Sequence, residues 1–262
     1  MTKRLRSKNA IVTGGSRGIG AGICRQLVNA GWRVNNFDRL EPEVPIAGVE
    51  WVKVDLADEQ ALTAALEVAR SNGPVLGLVN NAGVMLLDRI ENLELADLDR
   101  TYAVNIRAPA QCVHHVVKDM KSQGFGRIVN ITSRAMQGKS DRTAYAGSKG
   151  ALGTMTAVWA LELAPFGVTC NAVAPGAVQT ELFDKGNPPG SSRRRDLEQS
   201  IPVGRLGTPE DIAHAVAFFM QEESGFITGQ NLFVCGGGVL ALAGAVSGSD
   251  DAASKPELAL TS

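Results

Sequence analysis

Short apolar, β-branched runs recur along the chain, each stopping at a polar or glycine-rich turn. They are Ala10-Ile11-Val12-Thr13, Arg33-Val34-Asn35-Asn36-Phe37, Trp51-Val52-Lys53-Val54, Val75-Leu76-Gly77-Leu78-Val79, Arg127-Ile128-Val129-Asn130-Ile131-Thr132, Val168-Thr169-Cys170-Asn171-Ala172-Val173 and Asn231-Leu232-Phe233-Val234. Runs of this kind mark strands buried on both faces. Helical patterns lie between them. Ile23, Leu27 and Val28 share a stripe that Gly31 ends, and Leu62, Ala65, Leu66 and Ala69 share another behind the N-cap candidate Asp58. Further helices are expected from about Leu95, from about Asn105 to Met120, and from the stretch around Tyr145 to about Pro165. Leu40 to Glu50, with Pro42 and Pro45, reads as a loop. The alternation predicts an α/β fold: a single-domain, doubly wound parallel sheet, Rossmann-like, with helices on both faces. That domain is expected over residues 1–246. The Gly/Pro/Ser-rich stretch 183–200, carrying Arg193-Arg194-Arg195, is either part of a mobile lid over about 177–200 or a solvated excursion. The Ser/Asp/Ala/Lys-rich residues 247–262 are expected to be a flexible tail.

Composition narrows the options. Apolar residues make up 44% and charged residues 20%, ordinary for a soluble globular chain, and a net charge of −1 gives no footprint for nucleic acid or an anionic membrane. Cys24, Cys112, Cys170 and Cys235 are dispersed and three histidines are too few, so buried reduced thiols of a cytoplasmic protein are expected, with no metal site. The basic N-terminus lacks the apolar length of a signal peptide, and no run is long enough to span a bilayer.

The first strand runs into Gly14-Gly15-Ser16-Arg17-Gly18-Ile19-Gly20 and then a helix. Glycines let a backbone approach a pyrophosphate, and the helix N-terminus offers free N–H groups. Asp38, 20 residues after Gly18, stands where a carboxylate would accept from adenosine ribose hydroxyls and repel a 2′-phosphate. That favours NAD, although Arg17 and Arg39 leave NADP open. Tyr145 and Lys149 are four apart on a predicted helix, about 6 Å from each other. At an effective dielectric of about 20, an ammonium there would favour the phenolate by roughly 3 kcal/mol, or about two pKa units. A phenol so tuned suits general acid–base work near neutral pH. The alternative is a structural tyrosine with a lysine nearby.

Several motifs coincide in order and spacing. Thr13-Gly14-Gly15-Ser16-Arg17-Gly18-Ile19-Gly20, Asn80-Asn81-Ala82-Gly83, Asn105, Ser133, Tyr145-x-x-x-Lys149 and Pro175-Gly176 together resemble the short-chain dehydrogenase/reductase family over roughly residues 5 to 240. The resemblance implies a nicotinamide-dependent oxidoreductase for an alcohol/carbonyl pair. Tyr145 would be the general acid/base, and Lys149 would depress its pKa and hold the nicotinamide ribose. Ser133 would hydrogen-bond the reacting oxygen, and Asn105 would hold a water in a relay to Lys149; as plain structure, Asn105 would be an N-cap. It further implies that Gly14, Ser16, Arg17, Gly18, Ile19 and Gly20 hold the cofactor, with Asp38 and Asp55 on its adenosine. Asn81, Ala82 and Gly83 would support that ribose. Pro175, Gly176, Val178 and Thr180 would grip the carboxamide, unless Thr180 only caps a lid helix.

Two departures stand out. The family usually carries an acid before the final glycines, where this chain has Cys235, which puts a C-terminal contact in doubt. Arg134 follows Ser133 where small residues are usual; it either faces an anionic substrate or points outward to a carboxylate. Family members commonly form homodimers or homotetramers, which would make Val113, Val116, Leu152 and Val158 interface. With NAD as cofactor the expected direction is oxidation of a small-molecule alcohol. The alternatives are an NADPH-dependent ketone or 3-oxoacyl-type reductase and, in another class, an inactive dinucleotide sensor.

Overall fold

The computed structural model describes residues 8–245; the expected tail at 247–262 lies outside them. The strands are β1 (Asn9–Thr13), β2 (Arg33–Asp38), β3 (Val49–Lys53), β4 (Val75–Asn80), β5 (Gly126–Ile131), β6 (Val168–Pro175) and β7 (Asn231–Val234). They pair in parallel in the order β3-β2-β1-β4-β5-β6-β7. β1, β4, β5 and β6 are buried along their whole length, as their largely apolar runs predict.

The helices are α1 (Gly18–Asn29), α2 (Glu59–Ser71), α3 (Leu95–Tyr102), α4 (Ala108–Gln123), α5 (Thr143–Leu163), α6 (Glu181–Gly186), α7 (Ser192–Gln199), α8 (Pro209–Met220) and α9 (Gly238–Ala245). Two apolar layers form. One, around Leu62, Leu66, Val113, Val116, Met120 and Ile128, takes α2, α4 and the end of α5. The other, around Ile23, Leu27, Val34, Leu76, Ile212 and Val216, takes α1 and α8. Asp58 accepts from the Gln60 and Ala61 amides, as its N-cap position predicts.

The chain order reverses between β1 and β4, which opens a crevice at the C-terminal ends of these strands. Three of the four residues expected at an oligomer interface belong instead to this chain's own interior. Val113, Val116 and Leu152 are buried, the two valines in the layer that packs α4 on the sheet; Val158 is 46% exposed, with Leu161 beside it at 80%. The 177–200 segment is partly helical, through α6 and α7. Among the described residues no helix is long and apolar enough to cross a membrane.

Candidate active site

The turn after β1 is held from two sides. Gly14 and Gly18 have φ of 67° and 51°, a region that favours glycine. A Cβ at Gly14 would come within 3.0 Å of the Ala82 Cα, and one on Gly20 would collide with the Gly14 carbonyl. Thr13 Oγ1 accepts from the Asn81 and Ala82 amides at 3.0 and 3.1 Å, while Asn81 Nδ2 donates to the Thr13 and Gly14 carbonyls at 2.9 Å. From the other side, Asn36 Oδ1 accepts from the Gly15 amide at 2.8 Å and its Nδ2 donates to Ser16 Oγ at 2.9 Å. Asn36 was not among the sequence candidates; the pair of carboxamides Asn35-Asn36 between Val34 and Phe37 was the available signal.

A cavity of about 540 Å³ lies over this turn. Gly14, Arg17, Gly18, Ile19, Gly20, Asp38, Asp55, Asn81, Ala82, Gly83 and Thr180 all line it, joined by Arg39, Arg100, Glu181 and Lys185. No side chain caps the first turn of α1, so its N–H groups are left for a ligand. Tight glycine packing beside a free helix N-terminus fits a dinucleotide pyrophosphate. Asp38 accepts from the Ser16 and Leu40 amides, both at 3.1 Å, and Asp55 from the Ala57 amide at 2.9 Å. Arg17 pairs with Glu181 of α6 at 3.5 Å, which ties the glycine turn to the 177–200 segment.

Not every expected contact lies on that wall. Ser16 is buried, its hydroxyl donating to the Leu40 carbonyl at 2.6 Å. Pro175 ends β6, Val178 bridges to Gly207, and Gly176 packs so closely on Cys235 that a Cβ would come within 2.8 Å of it. Cys235 thus supports the Pro175-Gly176 turn. Thr180 caps α6, its Oγ1 accepting from the Phe183 amide at 3.2 Å.

The Tyr145 group sits at the ends of β4 and β5. The Lys149 ammonium is 5.8 Å from the Tyr145 ring centre and donates to the Ile131 carbonyl at 2.7 Å. Burial lowers the Lys149 pKa to about 8. The expected depression of the Tyr145 phenol does not follow. Burial raises it above its ordinary value, opposed by a hydrogen bond with Ser133 and by the Arg142 charge. Desolvation dominates, and the Lys149 charge is not among the influences on the phenol. Ser133 leaves β5 in extended conformation, and its Oγ accepts from the Ala135 amide at 3.1 Å.

Asn105 is neither helix opener nor N-cap. It lies in a π turn, Ala103–Arg107, joining α3 to α4, and is fully buried. Its Oδ1 accepts from the Val84 amide at 2.8 Å; its Nδ2 donates to the Val84 carbonyl at 3.0 Å and to Ser148 Oγ at 2.9 Å. Only one acceptor lone pair is left for a water. The Gly83 backbone lies between Asn105 and Lys149, a Cβ there standing 3.3 Å from Nζ and 3.4 Å from Oδ1.

A family model described as enoyl-(acyl carrier protein) reductase matches residues 14–238, which takes in the glycine turn, the Tyr145 group and β7. The chain belongs to the short-chain dehydrogenase/reductase family. As a member it is an oxidoreductase of the kind that acts on alcohol and carbonyl groups with a nicotinamide dinucleotide. The short-chain reductase protein NovJ of Streptomyces niveus is 37% identical over 87% of this chain and 92% of its own. An acetoacetyl-CoA reductase of Rhizobium meliloti is 36% identical over 88% and 98%. A solved structure of ElxO with NADP bound superposes with a TM-score of 0.82 at 28% identity, covering 90% of this chain and 100% of that one. This short-chain dehydrogenase/reductase shares with that structure the doubly wound sheet on which its cavity is built.

Proposed function

We propose that the protein moves a hydride between NAD(H) and the carbonyl or hydroxyl carbon of a small organic substrate, with Tyr145 as general acid/base. The observation that carries this reading is the grouping of Tyr145, Ser133 and Lys149, with Lys149 reaching the Gly83 backbone that lines the glycine-turn cavity. The cofactor, when bound, supplies or accepts the hydride. Everything else falls to the chain. Ser133 holds the reacting oxygen and favours the charge that develops there. The Tyr145 hydroxyl gives its proton to that oxygen in reduction and takes one in oxidation. Lys149 holds the nicotinamide ribose with its ammonium beside the phenol. Asn105, pinning Val84 and Ser148, keeps the ends of β4 and α5 in register and offers its last lone pair to a relay water.

For the cofactor, Asp38 at the cavity rim supports NAD, since its carboxylate opposes a 2′-phosphate. A second reading, NADPH, is favoured by Arg39, which lines the same rim and pairs with no carboxylate among the described residues, and by the NADP bound to the structural neighbour ElxO. The relatives named as reductases favour reduction over the oxidation expected from the sequence. The 177–200 segment, strapped to the turn through Arg17 and Glu181, acts as a lid. The test is cofactor absorbance with a panel of ketones, hydroxy acids and secondary alcohols. Cofactor-dependent turnover of at least one pair is expected; none in either direction contradicts the reading.

A further inference from the structure

Loop 134–142, between Ser133 and Tyr145, is rich in cations. Arg134 follows Ser133 directly, and its Nη1 rests on the backbone where α9 begins, 2.8 Å from the point a Cβ on Gly238 would occupy. A guanidinium at the N-terminal, positive end of a helix is unfavourable unless an anion joins them. At the other end of the loop, Arg142 is the N-cap of α5, and its charge reaches the Tyr145 phenol. A backbone bridge from Arg142 to Asp88 fixes it beside the segment after Gly83. Between the two, Lys139 feels the charges of Arg142, Arg134 and Arg193.

Arg193 comes from a different element, α7. The run Arg193-Arg194-Arg195 is split by the helix, whose successive residues point about 100° apart. Arg194 turns inward onto Asp184 at 2.6 Å and Glu198 at 3.0 Å. Arg195 donates to the Gly190 carbonyl at 3.3 Å, and Arg193 is left toward the loop. Among the described residues, none of Arg134, Lys139, Arg142 and Arg193 makes an ion pair with a carboxylate; Arg142 donates only to the Ser140 carbonyl, at 3.3 Å. Asp141 beside it in sequence and Asp88 across the bridge form no ion pair with Arg142. Four like charges from two elements, none paired with a carboxylate, gather on the loop between Ser133 and Tyr145 and beside it, and one of them, Arg142, acts on the Tyr145 phenol.

We propose that this border is an anion site: Arg134, Lys139, Arg142 and Arg193 receive the carboxylate or phosphate of a substrate whose carbonyl lies at Ser133 and Tyr145. The proposal rests on the hydride-transfer reading for where the carbonyl lies, and its own test is binding. With saturating reduced cofactor, calorimetry compares acetoacetate with methyl acetoacetate, and coenzyme A with pantetheine. One anion is expected to bind about tenfold or more tighter than its neutral counterpart, an advantage that falls with added salt. The responding arm says whether carboxylate or phosphate is held. Arg134→Gln combined with Lys139→Gln, Arg142→Gln and Arg193→Gln should abolish the advantage while circular dichroism stays native; if the combined variant misfolds, Lys139→Glu with Arg193→Glu should reverse it. Equal affinity for charged and neutral partners in both arms, no binding of either anion, or an advantage that survives in these variants overturns the proposal. Hydride transfer is scored separately with methyl acetoacetate. Turnover of the ester without an anion advantage sinks the anion site alone, and an anion advantage without turnover upholds it.

Discussion

Lys149 places its ammonium 5.8 Å from the ring centre of Tyr145 while giving a hydrogen bond of 2.7 Å to the Ile131 carbonyl. The lysine is 2% exposed, and its proton is held less tightly in the fold, at about 8, than at its ordinary value of 10.5. Between those values the unfolded chain binds more protons than the native one, so stability rises with pH across that window and the increment is lost as pH falls through about 8. The full increment is about 3 kcal/mol. Chemical denaturation of wild type and Lys149→Met at pH 7 and pH 10.5 should show the difference between them moving in favour of wild type by a sizeable part of that figure. A constant difference would mean that Lys149 is not charged and desolvated in the native state.

Ser133 hydrogen-bonds the Tyr145 phenol and so favours its ionised form. Ser133→Ala should move the pH limb of alcohol oxidation to higher pH and lower kcat by about a hundredfold or more, as expected for loss of a donor to the developing oxyanion. Rate profiles over pH check both effects; an unshifted limb would separate Ser133 from Tyr145.

Asp38 faces the cavity rim with Arg39 beside it and Arg17 across the turn. Removing the carboxylate should shift the NADPH-to-NADH ratio of kcat/KM upward by about tenfold or more. Asp38→Ala with initial rates on both cofactors measures this. A wild-type preference for NADPH that the substitution leaves unchanged favours the NADP reading.

Asn105 satisfies both polar groups of Val84 and one hydrogen bond of Ser148 in a buried site. Asn105→Ala strands them, at a cost of about 2–4 kcal/mol. Thermal unfolding of the variant should show a clear drop, whereas a surface N-cap would cost about 1 kcal/mol.

The central strands β1, β4, β5 and β6 were legible because they are buried on both faces, so their apolar runs owe little to any particular neighbour. The turn at Gly14 and the Tyr145–Lys149 spacing were legible because each is local: one needs positive φ, the other one helix turn. α8 had a readable start in Thr208, Pro209 and Asp211, a capping box around a proline, yet its place against α1 comes from tertiary packing. Val113 and Val116 carry the same apolar pattern whether they face a partner or the sheet, and only the fold places them inside. The pKa of Tyr145 was out of reach for the same reason. A charge 6 Å away can be read from spacing, but desolvation depends on what the fold packs around the phenol. The Arg193 charge acts on Lys139 across more than fifty positions of sequence, a relation the order of residues does not display.

Tyr145→Phe removes the proton on which turnover depends and leaves the ring in place. The variant should keep its circular dichroism and bind reduced cofactor with wild-type affinity while kcat falls by about 10²–10⁴. Turnover within about tenfold of wild type, well below what a positioned acid/base contributes, would contradict the account at its centre.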